Sequence, residues 1–170
     1  MLNQLTGLIS IALLSGISAT AHALSSDVEK PVSIEANSVV FNKNAGTAVY
    51  AGRVEIVQGT LRITADRIEI NAPKNEIQTI KATGSPVMFK QTMDSGKGAV
   101  GQAKLMMYFV TQKRLQLSGN ASLKQDKDAF TSNIIEYSTA SGELKAGGGK
   151  AANGKPGRVK AIFYPTNKAK

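Results

Sequence analysis

The apolar residues of this chain follow a six-residue pattern that occurs four times. The copies are Ala36–Phe41, Ala65–Ile70, Ala103–Tyr108 and Ser132–Tyr137. Each copy begins with a small residue and has apolar residues at its fourth and sixth positions, a spacing that places both side chains on one face of a β-strand. A polar turn follows each copy. The pattern predicts an all-β protein built from repeated strand-turn-strand units.

The sequence also repeats at longer range. Moved by 67 positions, Gly52–Gln58 aligns with Gly119–Gln125, and Ile68–Ile70 aligns with Ile135–Tyr137 without a gap. Strand periodicity alone does not require the matching Gly, Gln and Glu residues in these stretches. We therefore interpret the match as internal repetition, the alternative being the general self-similarity of β-rich sequences.

Changes of parity within the predicted strands indicate bends. Between residues 49 and 57 the apolar positions are odd-numbered before Gly52 (Val49 and Ala51) and even-numbered after it. Between residues 61 and 70 they change from odd to even at Asp66. A change of parity is typical of a β-bulge or corner, so we predict a curved or rolled sheet. A further strand is expected to open at Ser85 and Pro86.

Residues 1–23 are predicted to be a cleaved signal peptide. Leu5–Ile17 is apolar but shorter than the roughly 20 residues that span a membrane, and Ala21–Ala23 is a small-x-small cleavage site. Because Met1–Gly7 has no Lys or Arg, an uncleaved anchor is the alternative. The predicted division is a signal peptide at 1–23, a single domain at 24–165 and a basic tail at 166–170.

Composition limits the chemistry of the mature chain. Cleavage would remove His22, the one histidine, and the sequence has no cysteine. Ser-His and Cys-His catalysis, an ordinary structural zinc site and disulfides are therefore excluded, and no cofactor or metal is expected. The carboxylates of Asp66, Glu69 and Glu136 recur with the repeat and are interpreted as architectural, so an enzyme is the weakest alternative.

The formal net charge of +9 fits an anionic partner, either nucleic acid or anionic lipid. Nucleic acid is disfavoured because an exported protein meets little of it and because the chain has no Trp for base stacking. Anionic lipid is the better match, and a charge that merely aids solubility is the alternative.

Several segments resemble the OstA-like family of periplasmic lipopolysaccharide-transport proteins. They are Pro31–Glu35, Gly52–Asp66, Gly84–Gln91, Leu117–Ala121 and Arg158–Pro165. The resemblance covers nearly all of the chain after residue 23. It implies a twisted, partly open antiparallel β-jellyroll without enzymatic activity. The leader departs from the family pattern because it lacks a basic start.

The resemblance also implies a function and partners. The protein would bind lipopolysaccharide or lipooligosaccharide, with the acyl chains of lipid A in its apolar interior, and carry it from the inner membrane to the outer-membrane assembly site. It would reside in the periplasm and associate with both membranes through LptC, the N-terminal domain of LptD and further copies of itself, joined head to tail by strand addition. The alternatives are a membrane-anchored LptC-like component and a periplasmic scaffold that binds no lipid.

Two groups of residues are candidates for these contacts. The resemblance places Val32, Ile34 and Phe89 near the acyl-chain path, and the apolar pattern supplies the rest of the interior set, for each member of which ordinary core packing is the alternative. The interior set is Val32, Ile34, Val39, Phe41, Val54, Ile56, Leu61, Ile63, Ile68, Ile70, Phe89, Met106, Tyr108, Leu117, Leu123, Ile135 and Tyr137. The candidate edge strands for partners comprise Val32, Ser33, Ile34 and Glu35 at one end and Arg158, Val159, Lys160, Ala161, Ile162, Phe163 and Tyr164 at the other.

Overall fold

The computed structural model describes residues 27, 30–93, 96–138, 141, 143–147 and 157–164. The predicted signal peptide and the predicted C-terminal tail lie outside the described residues. The described chain forms ten strands and a short 3-10 helix, Pro73–Asn75. The strands are β1 Ser33–Glu35, β2 Ser38–Asn42, β3 Thr47–Gln58, β4 Leu61–Asn71, β5 Thr79–Thr92, β6 Gly98–Phe109, β7 Arg114–Gln125, β8 Asp128–Ser138, β9 Leu144–Ala146 and β10 Lys160–Ile162.

All ten strands belong to one antiparallel sheet. The six long strands β3 to β8 pair in chain order, each antiparallel to the next. Two short strands share each edge: β1 and β2 both pair with β3, and β9 and β10 both pair with β8. Within the described residues β1 and β10 do not pair with each other. The sheet is therefore open, which confirms the predicted all-β, partly open antiparallel jellyroll.

A line of register shifts crosses the sheet and bends it. Each of the five pairings between long strands is interrupted once, from Ala51/Val54 on β3 to Ser118/Ala121 on β7. Buried side chains from both sides of this line form a single core cluster. The aligned shifts therefore act as a corner that brings the two halves of every long strand together, as predicted at Gly52 and Asp66.

The predicted parity of β3 before its corner is wrong. Tyr50, and not Val49 or Ala51, packs against the core because it pairs with the fully buried Ile68. The two residues of the bulge, Gly52 and Arg53, have φ values of 80° and 47°. The bulge absorbs the extra residue locally, so the core-facing positions of β3 stay even-numbered on both sides.

The predicted start of β5 is also wrong. The strand begins at Thr79 and continues through Pro86 to Thr92. Pro86 lies within the register shift between Thr83 and Val87, where the ladder with β6 is interrupted. A proline is tolerated there because no ladder hydrogen bond needs its missing N–H.

The backbone confirms the internal repeat. β3 and β7 have bounds that differ by 67 positions at both ends, and so do β4 and β8. Left-handed backbone conformations recur at the same offset, whatever the residue type. The pairs are Gly46 and Lys113 (φ 62° and 48°), Gly52 and Gly119 (80° and 79°), Arg53 and Asn120 (47° and 51°), and Gly59 and Asp126 (57° and 55°).

Candidate functional site

The inner face of the bent sheet is apolar, and its centre is filled by the protein's own side chains. Eight residues of the predicted interior set are buried there: Val54, Ile56, Ile68, Phe89, Met106, Leu117, Leu123 and Ile135. They lie close to the corner, where the two halves of the sheet meet. In this structure they stabilise the fold, in keeping with ordinary core packing.

Other parts of the inner face are less completely buried. Six predicted residues are half-buried: Ile34, Leu61, Ile63, Ile70, Tyr108 and Tyr137. Burial raises the pKa of the Tyr137 phenol above its ordinary value. This rim offers apolar surface that the protein does not cover by itself.

Several core-facing residues are absent from the predicted set. Tyr50, Ile80, Leu115, Phe130 and Leu144 are half-buried and pack against the core. Each could have been found from pairing, since each lies opposite a residue of the predicted set: Ile80, for example, pairs with both Ile70 and Tyr108. The buried alanines Ala65, Ala82, Ala99, Ala103 and Ala121 gave no signal because small residues do not mark a face.

Three members of the interior set are not enclosed at all. Val32, Val39 and Phe41 are 54%, 56% and 67% exposed. Val39 pairs with Tyr50 and Phe41 pairs with Ala48, so both lie on the inner face. They are uncovered because β2 is an edge strand with no described strand beyond it. The hydrophobic pattern correctly predicted that Val39 and Phe41 lie on the inner face, but it did not predict that they are exposed.

Phe89, one of the three residues that the resemblance places near the acyl-chain path, is a core residue in this structure. It is 8% exposed and lies directly opposite Gly101 on β6. The absence of a side chain at Gly101 leaves room for its ring.

The C-terminal edge combines exposed apolar residues with positive charge. Ile162, Phe163 and Tyr164 are all more than one-third exposed. The Phe163 ring packs edge to face on Phe130, with 5.5 Å between ring centroids. Beside it, a shallow pocket of about 290 Å³ is lined by Lys124, Lys127, Ala129, Ile162 and Tyr164.

The N-terminal edge is anchored to the β3–β4 turn. The carboxylate of Asp27 accepts hydrogen bonds from the Thr60 backbone N–H (3.0 Å) and the Thr60 hydroxyl (2.5 Å). The hydroxyl and then the backbone N–H lower the pKa of Asp27. The amide of Gln58 donates to the Lys30 carbonyl at 3.2 Å. These contacts hold Asp27 and Lys30, which precede β1, against the sheet.

The outer face of the sheet carries ion pairs beside exposed apolar side chains such as Val40. Arg67 lies 2.8 Å from the Glu69 carboxylate, and this hydrogen bond lowers the pKa of Glu69, helped by Lys81 at 3.7 Å. Arg114 binds Glu136 at 3.0 Å and its guanidinium stacks over the Phe109 ring. The outer face therefore mixes charged and apolar side chains, whereas the side chains that form the core on the inner face are mostly apolar.

Neither a metal cluster nor a membrane-spanning helix is found in the part of the chain that the structure describes. Its Asp and Glu side chains form no group of three or more that could hold a metal ion. Within the same residues, no helix has the length and apolar composition needed to cross a bilayer.

Comparison with known proteins identifies the family. Residues 33–143 match the family model described as "LptA/(LptD N-terminal domain) LPS transport protein". The lipopolysaccharide export system protein LptA of Haemophilus influenzae is 32% identical over 88% of this chain and 86% of its own length. The export system protein LptH of Pseudomonas aeruginosa is 31% identical over 89% of each chain.

A solved structure supports the same assignment. The crystal structure of LptH from Pseudomonas aeruginosa, described as the LptA-homologous periplasmic component of a lipopolysaccharide transport device, superposes with a TM-score of 0.73 at 27% identity. The superposition covers 82% of this chain and 99% of LptH. With the open antiparallel sheet, the apolar inner face and the match over residues 33–143, these likenesses show that the chain belongs to the LptA/LptD N-terminal domain family of lipopolysaccharide transport proteins.

Proposed function

We propose that this protein is a periplasmic component of lipopolysaccharide transport that carries the lipid along its inner face. The acyl chains of lipid A would contact the rim of that face, and neighbouring components would join by strand addition at the two open edges. The proposed partners are lipopolysaccharide or lipooligosaccharide, LptC, the N-terminal domain of LptD and further copies of this chain. Family membership and the names of its relatives support the pathway.

The observation that carries the proposal is the uncovered apolar rim. Phe41 and Val39 lie on the inner face yet are more than half exposed, and Tyr108, Ile80 and Ile70 continue the same face while half-buried. Exposed apolar surface in a continuous row marks an interaction site. Sequestering acyl chains is worth about 0.8 kcal/mol per CH₂, so a lipid with roughly six chains needs a carrier that offers continuous apolar contact.

Adjacent residues on β2 provide a matched test of lipid contact. Phe41 lies on the inner face and Val40 on the outer face, and they are almost equally exposed, at 67% and 68%. A photoreactive amino acid at position 41 should label lipid A-containing material in cells, whereas the same group at position 40 should not. Tyr108 and Met107 offer a second such pair on β6.

Each alternative predicts a different result. A scaffold that binds no lipid gives no labelling at position 41, and equal labelling at positions 40 and 41 would contradict a face-specific path. A membrane-anchored component keeps its N-terminal segment. N-terminal sequencing of the purified protein separates the two cases, because cleavage at the predicted site gives a chain that starts at Leu24.

A further inference from the structure

We infer that two copies of this chain join in one defined strand register, which reproduces between copies the β5–β6 pairing found within one copy. In this register β9 and β10 of one copy pair with β2 and β1 of the next. The inference rests on the strand addition proposed above and makes it residue-specific. Its basis is the internal repeat, which extends to both edges of the sheet.

The N-terminal edge is the structural equivalent of β6. Ile34 of β1 pairs with Ile56 of β3, and Gly101 of β6 pairs with Leu123 of β7. Both residues and both partners differ by 67 positions. Beyond the corner, the pairs that β2 makes with β3 and those that β6 makes with β7 differ by the same offset. Together β1 and β2 occupy along β3 the place that β6 occupies along β7.

The C-terminal edge is the structural equivalent of β5. Lys160 of β10 pairs with Thr131 of β8, as Met88 of β5 pairs with Thr64 of β4, and the two threonines are 67 positions apart. The pairing of β9 with β8 matches that of the first half of β5 with β4 in the same way. Each molecule thus consists of two units of four strand positions, and β5 and β6 form the junction between them.

Transferring the β5–β6 register to the two edges gives a set of directly opposite residues. On the β10–β1 side of the corner the pairs are Lys160 with Glu35, Ala161 with Ile34, Ile162 with Ser33 and Phe163 with Val32. On the β9–β2 side they are Leu144 with Phe41, Lys145 with Val40 and Ala146 with Val39.

The resulting pairs are chemically complementary. Lys160 and Glu35 have opposite charges, are both exposed and fall in one row on the outer face. Within one molecule Phe89 faces Gly101. The equivalent pair between copies is Ala161 with Ile34, in which the larger side chain is on the other strand. Each pair therefore places one large and one small side chain opposite each other on the inner face.

The same register covers the exposed apolar residues at both edges. Val32 and Phe163, 54% and 65% exposed, would lie opposite each other on the inner face. Phe41 would lie opposite Leu144, as Tyr108 lies opposite Ile80 inside the molecule. A slip of one residue would move every one of these side chains to the other face, so burial of the inner face specifies the register.

Disulfide trapping between separate copies tests the register directly. Because the chain has no cysteine, protein carrying Glu35→Cys can be mixed with protein carrying Lys160→Cys, and an oxidised dimer can only join two copies. Opposite residues in an antiparallel pair have Cα atoms about 4.5–5.5 Å apart, within disulfide range. We expect this mixture to become mostly dimeric. The mixture of Ser33→Cys with Lys160→Cys, two positions out of register, should stay mostly monomeric.

Charge reversal tests the same pair without oxidation. Glu35→Lys or Lys160→Glu alone should weaken self-association about fivefold, since an opposite-charge cross-strand pair becomes a like-charge one. The double variant should restore the original association measured by light scattering. Both side chains are exposed, so neither change threatens the fold of the single copy.

The outcomes separate the register from the proposed function. Self-association in which the Ser33 and Lys160 cysteines link faster than the matched pair overturns the register and leaves strand addition intact. No self-association in the cysteine-free protein overturns both strand addition and the register. Lipid labelling at position 41 is a separate measurement. Its absence would contradict lipid carriage without contradicting the strand register.

Discussion

Phe89 on β5 lies directly opposite Gly101 on β6, and a Cβ atom at Gly101 would lie 2.0 Å from the Phe89 ring. The inner face is filled at this point by a side chain from one strand alone. Gly101→Ala should therefore lower the free energy of unfolding by about 1–3 kcal/mol, measured by urea denaturation.

Gly98 on the same strand is the control for Gly101. A Cβ atom there would meet nothing within 4 Å. Gly98→Ala should leave stability unchanged or raise it by up to about 1 kcal/mol, because it reduces the entropy of the unfolded chain. Equal losses in the two variants would contradict a steric role for Gly101.

Ser132 is buried, and its hydroxyl has no hydrogen-bond partner among the described residues. The internal repeat places Ala65 at the equivalent position on β4, where it is also buried. Ser132→Ala should raise the unfolding temperature, since an unsatisfied buried polar group costs about 1–3 kcal/mol. The reciprocal change Ala65→Ser should lower it, and a stabilising Ala65→Ser would show that the site accommodates a hydroxyl.

The Asp27 carboxylate should make stability depend on pH in the acid range. Its pKa is lowered from the ordinary 3.8 by the hydrogen bonds from Thr60, so the folded protein favours the charged form. The stabilisation is complete above the unfolded pKa and is lost as pH falls through the lower, folded value. Unfolding temperatures of the wild type and of Asp27→Asn should therefore differ at neutral pH and converge at low pH.

The variant Thr60→Val separates the effect of the Thr60 hydroxyl on the pKa of Asp27 from that of the Thr60 backbone N–H. The variant loses the O–H donor and keeps the backbone N–H, so the pKa of Asp27 should move back towards its ordinary value, as followed by NMR of the carboxyl carbon. An unchanged Asp27 titration in Thr60→Val would show that the hydroxyl hydrogen bond does not form.

Truncation of two inner-face residues should change the free energy of unfolding by very different amounts. Leu117 is 1% exposed at the centre of the core, and Leu117→Ala should cost about 2–5 kcal/mol of stability. Phe41 is 67% exposed, so Phe41→Ala should change the stability of the single copy by less than about 0.5 kcal/mol. Its effect should appear in lipid labelling and self-association. A large loss of stability in Phe41→Ala would place the residue in the core.

The sequence predicted most of the strands and the corner because alternation and repetition are local patterns. The corners predicted at Gly52 and Asp66 coincide with register shifts. Tyr50 was missed because the bulge after it takes up a residue without changing parity, which depends on left-handed φ values at Gly52 and Arg53. Proline normally opens a strand, so Pro86 misled the prediction for β5.

Exposure and pairing partners required the structure. The pattern places Val39 and Phe41 on the same face as Ile68 and Ile70, but only the strand order shows that β2 is at an edge. Alanines such as Ala82 and Ala103 are buried near the corner. Because alanine occurs on both faces of a strand, these residues did not reveal the inner face in the sequence. The predicted lipid contacts therefore divide into a self-filled centre and an open rim.

The eight strand positions across each molecule set a unit of length. Neighbouring strands are about 4.8 Å apart, so one copy extends roughly 40 Å along the direction of its hydrogen bonds. If copies join as β5 joins β6, that direction continues from one molecule to the next without a gap. The distance between two membranes would then be bridged in whole steps of this size, and the count of copies would report the width of the space between them.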